Sequence, residues 1–136
     1  MNIAELSVGA NAETSKTITS EDILSFAQAT GDFNPVHIDD EAAKKSPFGE
    51  RIAHGMLSAG LISAVLGMKL PGPGVIYMSQ SLRFVRPVKI GDTITARAEV
   101  TEVMTAKKRA KLATTCRNQK GEMVLEGEAL VMVPDG

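Results

Sequence analysis

Apolar and polar positions change rhythm once along this chain, near Leu70, from a helical spacing to a strand-like alternation. The first half therefore reads as helices. From Thr19, "TSEDILSFAQATG" sets Ile23, Phe26 and Ala27 along one face, with Thr19 or Ser20 as N-cap and acids in the first turn. Gly31 ends that helix. Pro35 has no N–H and biases Asn34 away from the helical region, so "DFNPVH" is predicted to be an irregular, locally stiff loop. Asp39 or Asp40 then caps a short helix through "EAAKKS", which Pro47 stops. From about Ala53 to Met68 the residues are apolar on all sides and small ones are frequent, which predicts a helix enclosed by other structure. Met56, Leu57, Leu61, Ile62, Val65 and Leu66 are its expected core residues.

After "LPGPG" the pattern is β-prone. "VIYMSQSLRFV" partly alternates, Pro87 suggests a bulge or edge, and Gly91-Asp92 a turn. "TITARAEVTEVM" and "RAKLATTCRN" are two further strands separated by "TAKKRA", and "QKG" turns into a final strand, "EMVLEGEALVMV". Consecutive strands joined by short turns imply an antiparallel sheet, and an apolar helix ahead of them needs something to wrap it. The expectation is an α+β fold in which the sheet curls around one long helix.

Composition narrows the picture. A chain of 136 residues suits one domain, 1–136, with a sizeable core. With 15 Lys+Arg against 16 Asp+Glu and a net charge of -1, there is no basic field to gather nucleic acid or an anionic membrane. Aromatic residues are 4%, too few for base-stacking platforms. The single cysteine, Cys116, excludes an internal disulfide and reads as a small apolar strand residue. The N-terminus lacks the pattern of a secretory signal, and "GMLSAGLISAVLGM" is shorter than the ~20 residues that span a bilayer. A cytoplasmic location is expected.

Two short segments could carry chemistry. "GDFNPVHIDD" holds Asp32, Asn34 and His37 in a chain with only 2 histidines. A histidine exchanges protons near neutral pH, and a carboxylate beside it can orient it or deliver a proton itself, so the pair could work on one water. The same residues could equally be turn-capping Asp and Asn with a partly exposed loop histidine. In "IAHGM", Gly55 lets a ligand approach the backbone where a helix begins, and free N–H groups with the positive helix end favour developing negative charge. Gly55 could also merely relieve crowding while His54 caps or packs. Together the two segments fit addition of water across a double bond conjugated to a thioester: a base for the water, a proton for the α-carbon, and a site for the enolate oxygen. No metal or redox cofactor is required. His37 and His54 match no zinc spacing, and nucleophile-elbow, C-x-x-C, G-x-G-x-x-G and P-loop patterns are absent.

"DFNPVHID" followed by "FGERIAHGM" resembles the hydratase motif of the (R)-specific enoyl-CoA hydratases, in the MaoC-like dehydratase group with the hot-dog fold. Asp32, Asn34, Pro35, His37, Asp39, Phe48, Ile52, His54 and Gly55 all fall in family order. The likeness continues through "SAVLGMKLPGPGVIYMSQSLRFVRPVKIGDTI" and so covers most of the chain. It implies an Asp32–His37 dyad holding the water, the Gly55 N–H as oxyanion donor, and Asn34 as support for the loop. Ser63 matches a family serine close to the catalytic Asp. Eight helical steps place Ser63 ~12 Å along the axis from Gly55, which assigns it to the neighbourhood of Asp32 and away from the oxyanion site.

The resemblance further implies reversible hydration of trans-2-enoyl-CoA to (R)-3-hydroxyacyl-CoA, and a homodimer with the acyl pocket near its interface. CoA is there part of the substrate, with no separate cofactor. The chain's length is similar to bacterial enzymes that feed polyhydroxyalkanoate synthesis. Arg83, Arg86, Lys89, Lys107, Lys108 and Arg109 are candidates to meet CoA phosphates, or a solvated sheet edge. Competing readings are a 3-hydroxyacyl-[acyl-carrier-protein] dehydratase using the same residues in reverse, a thioesterase on the same fold, and a non-catalytic acyl-thioester-binding domain.

Overall fold

A computed structural model describes residues 1–134 of the chain. Its elements run β1 (Asn11–Thr17), α1 (Ser20–Thr30), α2 (Pro35–Ile38), α3 (Asp40–Lys44), α4 (Gly55–Met68), β2 (Ile76–Gln80), β3 (Arg83–Phe84), β4 (Thr93–Met104), β5 (Arg109–Arg117) and β6 (Met123–Met132). All strand pairs are antiparallel, in the order β1-β4-β5-β6-β2, and β3 also pairs with β6.

The sheet's inner face is built from residues small enough to let a helix approach. Ile94, Ala96, Ala98 and Val100 of β4 alternate inward, as do Ala110, Leu112, Thr114 and Cys116 of β5. Register lines Ala96 up with Cys116 and Cys116 with Leu125, so one row crosses three strands. Against this face α4 buries Ser58, Ala59, Ile62, Val65 and Leu66. The link between β2 and β3 crosses β6 at Gly127, where a Cβ would stand 1.8 Å from the Ser81 carbonyl oxygen. Only glycine permits that crossing.

Local signals decide the ends of α1. The Thr19 side chain accepts from the Asp22 N–H, and the Asp22 carboxylate accepts from the Thr19 N–H, a reciprocal capping box. That bond from the Thr19 backbone is the main reason the Asp22 carboxyl is held below its ordinary value. At the far end Gly31 adopts φ 80°, and its N–H closes on Ala27 O.

Three expectations change. Strand β1 carries no apolar alternation in "NAETSKT", because it is a polar edge strand that buries almost nothing; only its pairing with β4 makes it a strand. The segment expected to be an irregular loop instead holds a helical turn, since Pro35 at the first helical position gives up no bond there and the Asn34 side chain accepts from the Val36 N–H. Helix α4 is wrapped on one side only. Met56 is 52% exposed, Leu57 and Leu61 are partly buried, and Gly60, Ser63, Ala64 and Met68 face outward. A uniformly apolar helix has no stripe to say which side the chain's own sheet covers. No helix among the described residues is long and apolar enough to cross a membrane.

Cys116 is fully buried, and burial pushes its thiol up to about 12. In the unfolded chain a thiol ionises near ~8.5, so the folded state binds more protons between those limits, and stability present below pH ~8.5 declines as pH rises toward the folded value. Denaturant midpoints should therefore fall from roughly pH 9 to 11 in the wild-type chain and fall less in Cys116→Ala. Equal slopes in the two proteins would contradict this.

Candidate active site

The two candidate segments meet through backbone hydrogen bonds, and the meeting begins at the left-handed Gly31. Beyond it the Asp32 N–H donates to Thr30 Oγ1 at 3.2 Å, and Asp32 Oδ1 accepts from the Asn34 N–H at 3.2 Å. Asn34 caps α2, and its carbonyl accepts from the His37 N–H at 2.9 Å. Asp32, Asn34 and His37 thus belong to one tight turn.

The strand-like approach to α4 runs alongside. The Ile52 N–H donates to Val36 O at 3.3 Å, Arg51 Nε donates to His37 O at 2.7 Å, and the Ala53 N–H donates to Val88 O at 2.7 Å. Two imidazoles complete the seam. His37 Nδ1 lies 2.7 Å from Ile52 O, and His54 Nε2 lies 2.9 Å from Asp32 O. A carbonyl oxygen can only accept, so each of these nitrogens carries a proton. His37 is left with Nε2, and His54 with Nδ1, as the nitrogen free to accept. The rings stack with centroids 4.0 Å apart and an interplanar angle of 30°, and Phe26 backs His54 at 4.7 Å. His54 is 2% exposed and its Nδ1 has no hydrogen-bond partner among the described residues. Sequence reasoning treated His54 as a cap or packing residue. It sits at the N-cap of α4 but makes no side-chain cap, holding the Asp32 carbonyl instead.

Asp32, His37 and His54 bring ligating atoms within 4.8 Å of one another. Two hydrogen bonds of ~2.8 Å meeting at one oxygen can bridge groups that lie so close, so one water could join two of them. A metal ion suits the cluster less well. Each imidazole already commits one nitrogen to a backbone carbonyl, which leaves a single nitrogen per ring for any metal–nitrogen bond of ~2.0–2.1 Å.

His37 and Gly55 share a cleft of about 450 Å³ whose walls include Ser58, Phe84, Val88 and Leu125. A side chain at residue 55 would collide with Phe84, since a Cβ there would lie 2.5 Å from the ring. The Leu57 N–H turns back to His54 O, and the N-cap side chain caps nothing, so the Gly55 N–H at the start of the helix has no side-chain cap. Ser63 is not in this cleft. It lies on the outward face of α4, in a second hollow of about 410 Å³ with Met56, Tyr77 and Gln80, and no hydrogen bond joins it to Asp32 among the described residues. Of the candidate cations, Arg86 lines the cleft and pairs with Glu122, Arg83 pairs with Glu126, and Lys89 with Glu50. Lys107, Lys108 and Arg109 lie at the β4–β5 hairpin, away from the cleft walls.

The family described as "MaoC like domain" matches residues 5–122. The chain belongs to the MaoC-like family. It is 52% identical over 130 residues to the (R)-specific enoyl-CoA hydratase of Rhodospirillum rubrum, across 96% of this chain and 90% of that one. It is also 52% identical over 130 residues to a 3-hydroxybutyryl-CoA dehydratase of Methylorubrum extorquens, across 96% of this chain and 82% of that one. Among solved structures it is similar to the unliganded R-hydratase PhaJ1 of Pseudomonas aeruginosa, with TM-score 0.94 and 49% identity, covering 99% of this chain and 86% of that one. The fold is accordingly the hot-dog fold expected from the motif, a MaoC-like sheet curled against a long helix.

With only two histidines in the chain, nitrogen-15 spectra of the imidazoles are simple to assign. In its neutral form His37 should appear as the Nδ1–H tautomer and His54 as the Nε2–H tautomer. A neutral His37 protonated at Nε2 would break the seam described above.

Proposed function

We propose that this MaoC-like protein is an (R)-specific enoyl-CoA hydratase that adds water reversibly to trans-2-enoyl-CoA. The observation that carries this reading is the seam of hydrogen bonds that puts His37 and the uncapped Gly55 N–H on the walls of one largely apolar cleft. Asp32 and His37 would hold the attacking water between them, His37 through the Nε2 that its bond to Ile52 leaves free. One of the pair takes the water's proton as its oxygen bonds to C3. The electron pair displaced from the double bond moves to the thioester oxygen, which the Gly55 N–H and the positive end of α4 stabilise. It returns as C2 is protonated, so water is added with no oxidant, reductant or resident cofactor.

Asn34 would keep the dyad turn in shape through its cap on Val36. Arg86, at the cleft wall, is the cation best placed to meet the CoA portion, with Arg83 and Lys89 flanking it. The product is the class of thioester from which polyhydroxyalkanoates are built, and a cytoplasmic location fits that role.

A homodimer is part of the same proposal. The outward face of α4 and the edge strand β2 leave Met56, Tyr77 and Met78 exposed around the hollow that holds Ser63, and Ile76 of the same strand is exposed as well. A run of apolar side chains beside an unpaired strand edge is a surface for another chain. A second copy would cover it and bring Ser63 toward the site, where the single chain leaves it apart. Sedimentation should give the mass of two chains, and Met78→Lys should shift it toward one; a monomeric wild-type protein would refute this.

Loss of enoyl absorbance with crotonyl-CoA, followed by determination of the product's configuration, tests the activity. Asp32→Asn and His37→Ala should each lower turnover by roughly 100-fold or more while the chain stays folded. Turnover retained by either variant would remove that residue from the dyad. Hydration confined to carrier-protein thioesters would reassign the enzyme to that carrier, and binding of acyl-CoA with no turnover would make it a binding domain.

A further inference from the structure

We infer that the Ser58 hydroxyl is a second hydrogen-bond donor to the thioester oxygen, beside the Gly55 N–H; this rests on the hydratase reading above. Ser58 lies one helical turn beyond Gly55 and lines the cleft that contains Gly55 and His37. It is 2% exposed, and its Oγ is buried with no hydrogen-bond partner among the described residues. Leaving a hydroxyl buried without a partner forfeits its hydration with nothing in return, so the position is unfavourable for folding alone. A helical serine ordinarily returns its hydroxyl to a carbonyl one turn back, and Ser58 does not.

The direction of the side chain supports this role. In an α-helix each Cα–Cβ bond tilts toward the N-terminus, so a residue's side chain covers the turn before its own Cα. The Ser58 hydroxyl therefore leans toward the level of the Gly55 N–H. Its own turn is held down, because the Ser58 carbonyl accepts from Cys116 Sγ of β5 at 3.6 Å. The walls nearby are apolar, with Val88, Val124 and Leu125 offering nothing to a hydroxyl. A thioester oxygen has more than one lone pair, and as the enolate forms it gains negative charge that a single N–H only partly balances. A buried hydroxyl interacts more strongly with that charge than with the neutral carbonyl, which is the condition for accelerating the step.

The test is Ser58→Ala in the full chain, with crotonyl-CoA as substrate. Because the hydroxyl has no partner among the described residues, its removal should leave the thermal midpoint unchanged or raised. Turnover should fall roughly tenfold or more and KM should rise by a smaller factor, as expected when a lost donor bonded the substrate carbonyl weakly and the enolate oxygen strongly. Ser58→Cys keeps the shape with a weaker donor and should fall in the same direction. A second readout compares binding of butyryl-CoA with its thioether analogue, which lacks the carbonyl. The wild-type protein should favour the carbonyl ligand, and Ser58→Ala should lose most of that preference. Turnover within about twofold of wild type, or an unchanged ligand preference, overturns the assignment. If the wild-type protein hydrates no enoyl thioester, the hydratase reading fails on its own, and the ligand preference still decides the role of Ser58.

Discussion

The site depends on the hydrogen bond from His37 Nδ1 to the Ile52 carbonyl. That contact joins residues fifteen positions apart, settles which ring nitrogen faces the cleft, and ties the turn carrying Asp32 to the approach of α4. The His54–Asp32 bond closes the seam from the other side, and the stacked rings fix its width. Without this seam the turn carrying Asp32 and His37 and the start of α4 would be two segments with independent motions. With it they form one connected unit, and positioning of that kind is what the proposed hydration requires.

The start of α4 has been left unfinished as a helix. A serine, aspartate or asparagine at the N-cap would satisfy its amides and stabilise it by ~1 kcal/mol. His54 occupies that position and points its donor elsewhere, while α1, with no such duty, carries a full capping box at Thr19 and Asp22. The chain thus caps α1 fully and leaves the start of α4, which faces the cleft, without a side-chain cap. Stability for α4 comes instead from Ile62, Val65 and Leu66 against the alanine-rich face of β4, β5 and β6.

Legibility followed how local each cause is. The ends of α1, a cap for α3 at Asp39 or Asp40, the bounds of β4 and the turn at Gly91 were readable because capping residues, glycines and alternation act within a few positions. Strand β1 was not, since a polar edge strand has no hydrophobic signature. The uncovered side of α4 was not readable either, because an all-round apolar helix carries no direction. In the site, Asp32, His37 and Gly55 were recognisable as chemistry-bearing types in family order. The tautomers of His37 and His54 depended on carbonyls supplied by distant segments.

By itself the amino-acid order determined the elements, the α+β class and the candidate residues, because propensity, capping and alternation are properties of neighbours along the chain. Only the tertiary structure decided that His54 holds Asp32 and stacks on His37, that Phe84 stands where a side chain on Gly55 would be, that Ser58 enters the cleft while Ser63 faces away, and which side of α4 stays open. Those relations are set by packing and hydrogen bonds between segments far apart in sequence. No local rule encodes their geometry.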